Sequence, residues 1–191
     1  MAKLGGSSVM ESFGPHAPNI GAHFNTFTTK KDVSPYPLPR IPGGALYTGD
    51  EIEIEATGEA SSTATPNLTI GLFLGTSDDA SVTAPAVAIT TDIIISAATA
   101  IATGAAWPWR LWCKGKINKT GSSGVLQVYG LLFFPTSLTA VTITSLPATA
   151  AARAVAINTT IDNRIGVSAT WSASSASNDI QVYTLAAYRA N

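Results

Sequence analysis

Charge is scarce in this 191-residue sequence: 11 Lys and Arg and 12 Asp and Glu make only 12% of the chain, where a globular chain ordinarily carries about 25%. Charge keeps free proteins soluble and apart, so a surface this bare suits a subunit covered by its neighbours. The net charge is −1 and no basic patch is clustered, which excludes the footprint of a nucleic-acid binder. Cys113 is the only cysteine. No intrachain disulfide can form, and the thiol reads as a small buried hydrophobe. The two histidines, His16 and His23, are too few for a metal centre, and they stand far in sequence from any triad partner. The longest apolar region, Ala84 to Trp109, is interrupted by Asp92, Gly104 and Pro108, so no membrane span is expected. The amino terminus lacks the apolar stretch of a secretory signal. No segment carries a long amphipathic helical pattern.

What the chain does have is a concentrated tryptophan row. Three of its four tryptophans lie in Ala106-Trp107-Pro108-Trp109-Arg110-Leu111-Trp112-Cys113. Side chains alternate across a strand, so Trp107, Trp109, Leu111 and Cys113 share one face, while Pro108, Arg110 and Trp112 share the other. Each tryptophan can bury roughly 150–250 Å². The row therefore predicts a central strand, with Trp107, Trp109 and Leu111 as core and Trp171 joining them from a later strand. A stacking platform for a sugar or a base is the functional alternative.

Other strands follow the same period. Glu51-Ile52-Glu53-Ile54-Glu55-Ala56 alternates strictly, with the glutamates turned to solvent. Leu68, Ile70, Leu72 and Leu74 form one face of the next strand. Val87–Ile89 and Ile93–Ile95 read as one long or two short strands. Val125 to Phe134 is apolar on both faces and so should be buried on both. In a two-layer sandwich that points to a subunit interface, for which Leu126, Val128, Leu132 and Phe134 are the candidates, or to cover by another segment. Residues 136–152 read as a connection. Val155, Ile157, Thr159 and Ile161 share a face, as do Ile165, Val167, Ala169 and Trp171. Ser172 to Asp179 is a polar loop. In the last strand Ile180, Val182, Thr184 and Ala186 lie on one side, with Tyr183 and Leu185 on the other. About eight strands at regular spacing predict an all-β fold, an antiparallel β-sandwich of jelly-roll type.

Residues 1–45 look different from the body at 46–191. Pro35, Pro37, Pro39 and Pro42 impose an extended path, and four bases against two acids up to residue 49 give a balance of +2. The apolar side chains lack periodicity. This predicts an extended arm that orders against another surface, with Phe13, Phe24, Phe27, Tyr36 and Leu38 as attachment anchors.

Catalytic constellations are missing. The row Glu51, Glu53, Glu55 lies on one strand face, whereas glycoside hydrolysis needs two carboxylates facing each other across a cleft. Gly121-Ser122-Ser123-Gly124 lacks the lysine and helix of a phosphate loop. Ser77-Asp78-Asp79 lacks the spaced ligands of a calcium loop. Lys114, Lys116 and Lys119 read as a solvated hairpin end. The expectation is a protein without catalysis, cofactor or metal.

Ala105-Ala106-Trp107-Pro108-Trp109-Arg110, Gly130–Leu138 and Ala169-Thr170-Trp171-Ser172-Ala173-Ser174-Ser175-Ala176-Ser177-Asn178 together resemble small virion proteins of tailed bacteriophages, particularly those of actinobacterial hosts. The resemblance spans about residues 50–189. It implies a jelly-roll body like that of tumour-necrosis-factor-like trimers, mounted on a virion that assembles in the host cytoplasm. The function implied is that of a capsid decoration or minor capsid protein, with its own copies, the major capsid protein or other virion proteins as partners. A receptor-binding or tail-fibre head is the alternative, with the loop at 172–179 touching a host surface glycan.

Overall fold

The tryptophan row belongs to a strand of sixteen residues that lies inside a large antiparallel sheet. The computed structural model describes residues 11–12, 20–75, 91–101, 103–137 and 140–190. The strands are β1 (Glu11–Ser12), β2 (Lys31–Asp32), β3 (Arg40–Ile41), β4 (Glu51–Ser62), β5 (Asn67–Gly75), β6 (Thr91–Ile95), β7 (Thr99–Ala100), β8 (Gly104–Lys119), β9 (Gly124–Ser137), β10 (Ala140–Leu146), β11 (Ala154–Ile157), β12 (Asn163–Trp171) and β13 (Asp179–Ala190). One sheet runs β1-β13-β4-β8-β9-β10, with β11 also on β9. The other runs β2-β12-β5-β6, with β3 on β12 and β7 on β5. The fold is an antiparallel β-sandwich, and a single 3₁₀ turn at Ala150–Arg153 is the helical element among the described residues.

The core lies between the sheets. Ile52, Ile54 and Ala56 point inward from β4, while Trp109, Leu111 and Cys113 do so from β8. Ile165, Val167, Ala169 and Trp171 meet them from β12. Trp109 is 3% exposed and Trp171 1%, so neither ring is available as a stacking platform. Trp107 is only partly buried and packs against the edge of the core. It lies near the start of β8, beside Ala106 at φ 57° and opposite a register shift at Ala60–Ser62. Gly58 is where β4 lets Trp109 in. A Cβ there would fall 2.0 Å from the Gln181 carbonyl oxygen and 2.6 Å from Trp109 Cζ2.

Residues 20–45 differ from the separable arm expected over 1–45. They form a strap packed on the body of the same chain, and Phe24, Phe27, Val33, Tyr36, Leu38 and Ile41 belong to its core. Backbone bonds run along the strap: Gly21 N to Val182 O (2.8 Å), Phe24 N to Ile180 O (3.0 Å), Val33 N to Val167 O (2.9 Å) and Ile165 N to Pro39 O (3.0 Å). The strap adds β2 and β3 to the exposed edge of β12, and its proline-set extended path is what allows such edge pairing. Its bases find acids of the same body. His23 Nδ1 lies 2.6 Å from Asp179 Oδ2, Lys30 Nζ lies 2.5 Å from Asp92 Oδ2, and Arg40 pairs with Asp162. Of the four bases counted in the sequence, Lys30 and Arg40 are thus paired with acids of the same chain, while Lys31 lies over the rings of Phe24 and Phe27.

Three further differences have local causes. Burial on both faces falls on β5 and the middle of β12 rather than on β9. Phe73 points away from Leu72 and Leu74 yet is fully buried, its ring under Gly166, on the side where Ser34 of the strap sits. Residues 140–146, expected within a connection, form β10, because Val141-Thr142-Ile143-Thr144 is β-branched throughout and pairs with β9. In β13 a bulge between Val182 and Thr184 shifts the phase, so Leu185 and Ala187 are buried in place of Thr184 and Ala186. The expected strand at 87–89 and the turn at 77–79 lie outside the described residues.

Candidate interaction surface

The strand register of the large sheet assembles one outward face from β4, β8, β9 and β10. Glu53 lies opposite Lys114, Glu55 opposite Trp112, and Glu51 opposite Lys116. On the next strand Trp112 lies opposite Leu131, Lys114 opposite Tyr129, and Arg110 opposite Phe133. Beyond it Phe133 pairs with Ile143 and Pro135 with Val141. Pairs in register share a face, so this side is charged along β4 and becomes apolar toward β10.

The charged part is closed on itself. Arg110 Nε lies 2.7 Å from Glu55 Oε1, and Lys114 Nζ lies 2.6 Å from Glu51 Oε2. Both are diagonal cross-strand pairs, within reach of long side chains. The hydrogen bond and charge of Lys114 hold the Glu51 carboxyl below its ordinary pKa, and Glu51 in turn raises that of Lys114. Trp112 Nε1 donates to Glu53 Oε1 at 2.7 Å. The Trp112 ring meets Tyr129 edge-on, with centroids 5.6 Å apart. Tyr183 sits at the β13 bulge. The hydrogen bond from its hydroxyl to Glu59 raises the phenol pKa to about 12.

The apolar part is open. Tyr129 is 52% exposed, Val141 61% and Ile143 59%. Leu131, Phe133 and Pro135 between them are half-buried. A shallow depression of about 380 Å³ continues this strip, lined by Thr57, Pro108, Arg110, Phe133, Val141 and Tyr183 among others.

The expected interface residues Leu126, Val128, Leu132 and Phe134 lie on the other face of β9. Each is at most 2% exposed and packs in the core of its own chain. The apolar side chains that β9 offers outward are those at the odd positions. Both sets are apolar in sequence, and only the pairing of β9 between β8 and β10 decides which faces in. Of the arm anchors, Phe24, Phe27, Tyr36 and Leu38 are buried in the strap, and Phe13 lies outside the described residues. The loop after β12 turns its polar groups on itself and on β5. Asn178 Nδ2 donates to Ala173 O at 2.7 Å, and Ser172 Oγ accepts from Asn67 N at 2.9 Å. No group of three or more His, Cys, Asp or Glu side chains that could hold a metal occurs among the described residues. His16 lies outside them. No protein-family model and no curated protein sequence matches the chain.

Proposed function

We propose that the protein is a non-enzymatic structural subunit of a tailed-bacteriophage virion, of the capsid decoration or minor capsid class, with a closed homo-oligomer as its working form. The observation that carries this reading is the open apolar strip of Tyr129, Val141 and Ile143 on a sheet face where Arg110 is paired with Glu55 and Lys114 with Glu51. Contiguous apolar surface of this kind marks association with another protein. The low overall charge agrees with it, and so does the resemblance carried by the tryptophan segments. The partners in this reading are copies of the chain and the major capsid protein or other virion proteins.

The test is binding of the full chain to purified particles that lack it. Saturable co-sedimentation at a fixed ratio, with density at symmetric positions in averaged images, is the expected result. Failure to bind any part of the particle, together with capture of a host surface glycan, would replace this reading with that of a receptor-binding head.

A further inference from the structure

We infer that the partner covering this outward face is a second copy of the same chain, packed through β8, β9 and β10. The inference deepens the reading above and rests on it. Four features of the face argue for a copy over another kind of partner.

First, the face is close to neutral. Glu51, Glu53, Glu55 and Glu59 stand against Arg110, Lys114 and Lys116, and the pairs Arg110–Glu55 and Lys114–Glu51 are made within one chain. A neutral, internally paired face does not repel its own copy, and it gives a highly charged partner nothing to grip.

Second, the area fits. Strands about 4.8 Å apart and a rise of about 3.4 Å per residue make the face of β4, β8, β9 and β10 on the order of 800 Å², which is what each partner in a stable complex buries.

Third, the layout is that of an interface. Trp112, Tyr129 and Phe133 with Val141 and Ile143 form an aromatic and aliphatic strip that runs to the β10 edge, and the ion-paired ladder borders it on the β4 side.

Fourth, β10 lies at the end of its sheet and has a strand partner only on the β9 side among the described residues. Its seven residues include no charge and no proline, so it lacks two of the usual protections of an edge strand. An edge beside an apolar strip is matched by the same edge and strip of a copy related by symmetry.

The experiment is molar mass by sedimentation equilibrium on the full chain, with Ile143→Lys and Tyr129→Glu as variants and Ile161→Lys as control. Ile161 is 41% exposed and lies outside this face. The expected result is an oligomeric wild type at about 10 µM, a dissociation midpoint weakened roughly 30-fold or more in each of the two variants, and an unchanged control. A dimer, in which the same edge and strip meet across a two-fold axis, supports the inference; a trimer, which sets this face against a different surface of the next copy, overturns the self-matched packing. Both variants are solvent-side changes, and thermal melts verify that they fold; if one fails to fold, the other decides. A monomeric wild type, or an oligomer indifferent to both variants, overturns the inference. Particle binding by such a monomer would leave the structural-subunit reading standing. A face-dependent oligomer that binds no particle would do the reverse.

Discussion

Tyr36 donates its hydroxyl to Asp32 Oδ2 at 2.6 Å, while Asp32 Oδ1 accepts from both the backbone N–H and the hydroxyl of Ser34 at 2.9 and 2.5 Å. The same Ser34 hydroxyl accepts from Val167 N at 2.7 Å. A buried carboxylate on the strap is therefore satisfied by the strap itself, and one of its donors is locked onto β12. A segment carrying a buried acid stays on an apolar body only if the acid is matched in this way.

Removal of the strap should therefore abolish the fold. A chain beginning at Gly49 lacks the buried side chains Phe24, Phe27, Val33, Tyr36, Leu38, Ile41 and Leu46. Each such side chain contributes about 1.5–3 kcal/mol of burial, and its loss also leaves the apolar surface of the body beneath it in water. The expected outcome is loss of near-ultraviolet circular dichroism and of a cooperative melt. Within the full chain, Tyr36→Phe should cost about 1.5–3 kcal/mol, since it removes a hydrogen bond to a charged group. Urea denaturation measures this, and a native-like melt of the shortened chain would show that the strap is dispensable.

Two of the strand-row tryptophans, Trp107 and Trp109, should separate by burial. Trp109→Ala should cost about 3–5 kcal/mol. Trp107→Ala should cost clearly less, because Trp107 is only partly buried at the end of its strand. Gly58→Ala should be as damaging as a core truncation. The added Cβ meets the Gln181 carbonyl of a paired strand, and backbone held in a ladder cannot move aside cheaply. Denaturation midpoints of the three variants provide the ranking. Equal costs for Trp107 and Trp109 would contradict it.

These details mark where the sequence is legible. Strict alternation in Ile52-Glu53-Ile54 and in Ile165, Val167, Ala169 and Trp171 specifies the inward face directly, and the structure buries those residues. The phase of β13 was not legible beyond Val182, because one bulged residue exchanges the faces of everything after it. The role of β9 was hidden differently: Leu126 and Tyr129, or Leu132 and Phe133, are equally apolar, and the choice between faces depends on non-local pairing. The strap has no hydrophobic period because it follows an extended, proline-set path over the body. Its aromatic side chains look the same in sequence whether they dock on their own chain or on another. The apolar strip itself was partly visible as odd-numbered apolar positions in β9, while Val141 and Ile143 were lost in what read as a connection.

Cys113 should behave as an inert thiol until the protein opens. Burial raises its pKa to about 12, so the native chain holds almost no thiolate at pH 8, and alkylation should require unfolding. The raised value also sets a sign. An unfolded thiol ionises near pH 8.5, and between there and about 12 the folded state binds more protons than the unfolded one. The stability from keeping this thiol neutral is complete below pH 8.5 and declines as pH rises toward 12. Relative to Cys113→Ala, the wild type should lose stability over that interval. Rapid native-state alkylation at pH 8 would contradict the burial.

The acid side should report on the strap. Asp162 accepts from the Gly43 backbone N–H at 2.8 Å and pairs with the Arg40 guanidinium. These two contacts hold its carboxyl below the ordinary aspartate value, the backbone bond being the larger cause. With the folded pKa depressed, the contribution to stability is present above the unfolded value near 3.9 and is lost as pH falls through the folded value. Glu51 follows the same rule through Lys114. Asp162→Asn should lower stability at pH 7, and the gap from wild type should close as the pH is taken from about 4 toward 2, where the native carboxyl is also protonated. Both contacts join the strap to the turn before β12, so hydrogen exchange should show the backbone around β3 opening first as the pH is lowered, ahead of β4 and β8. A gap of constant size down to pH 2 would mean that the carboxylate charge contributes nothing there and that the hydrogen-bond geometry alone holds the strap.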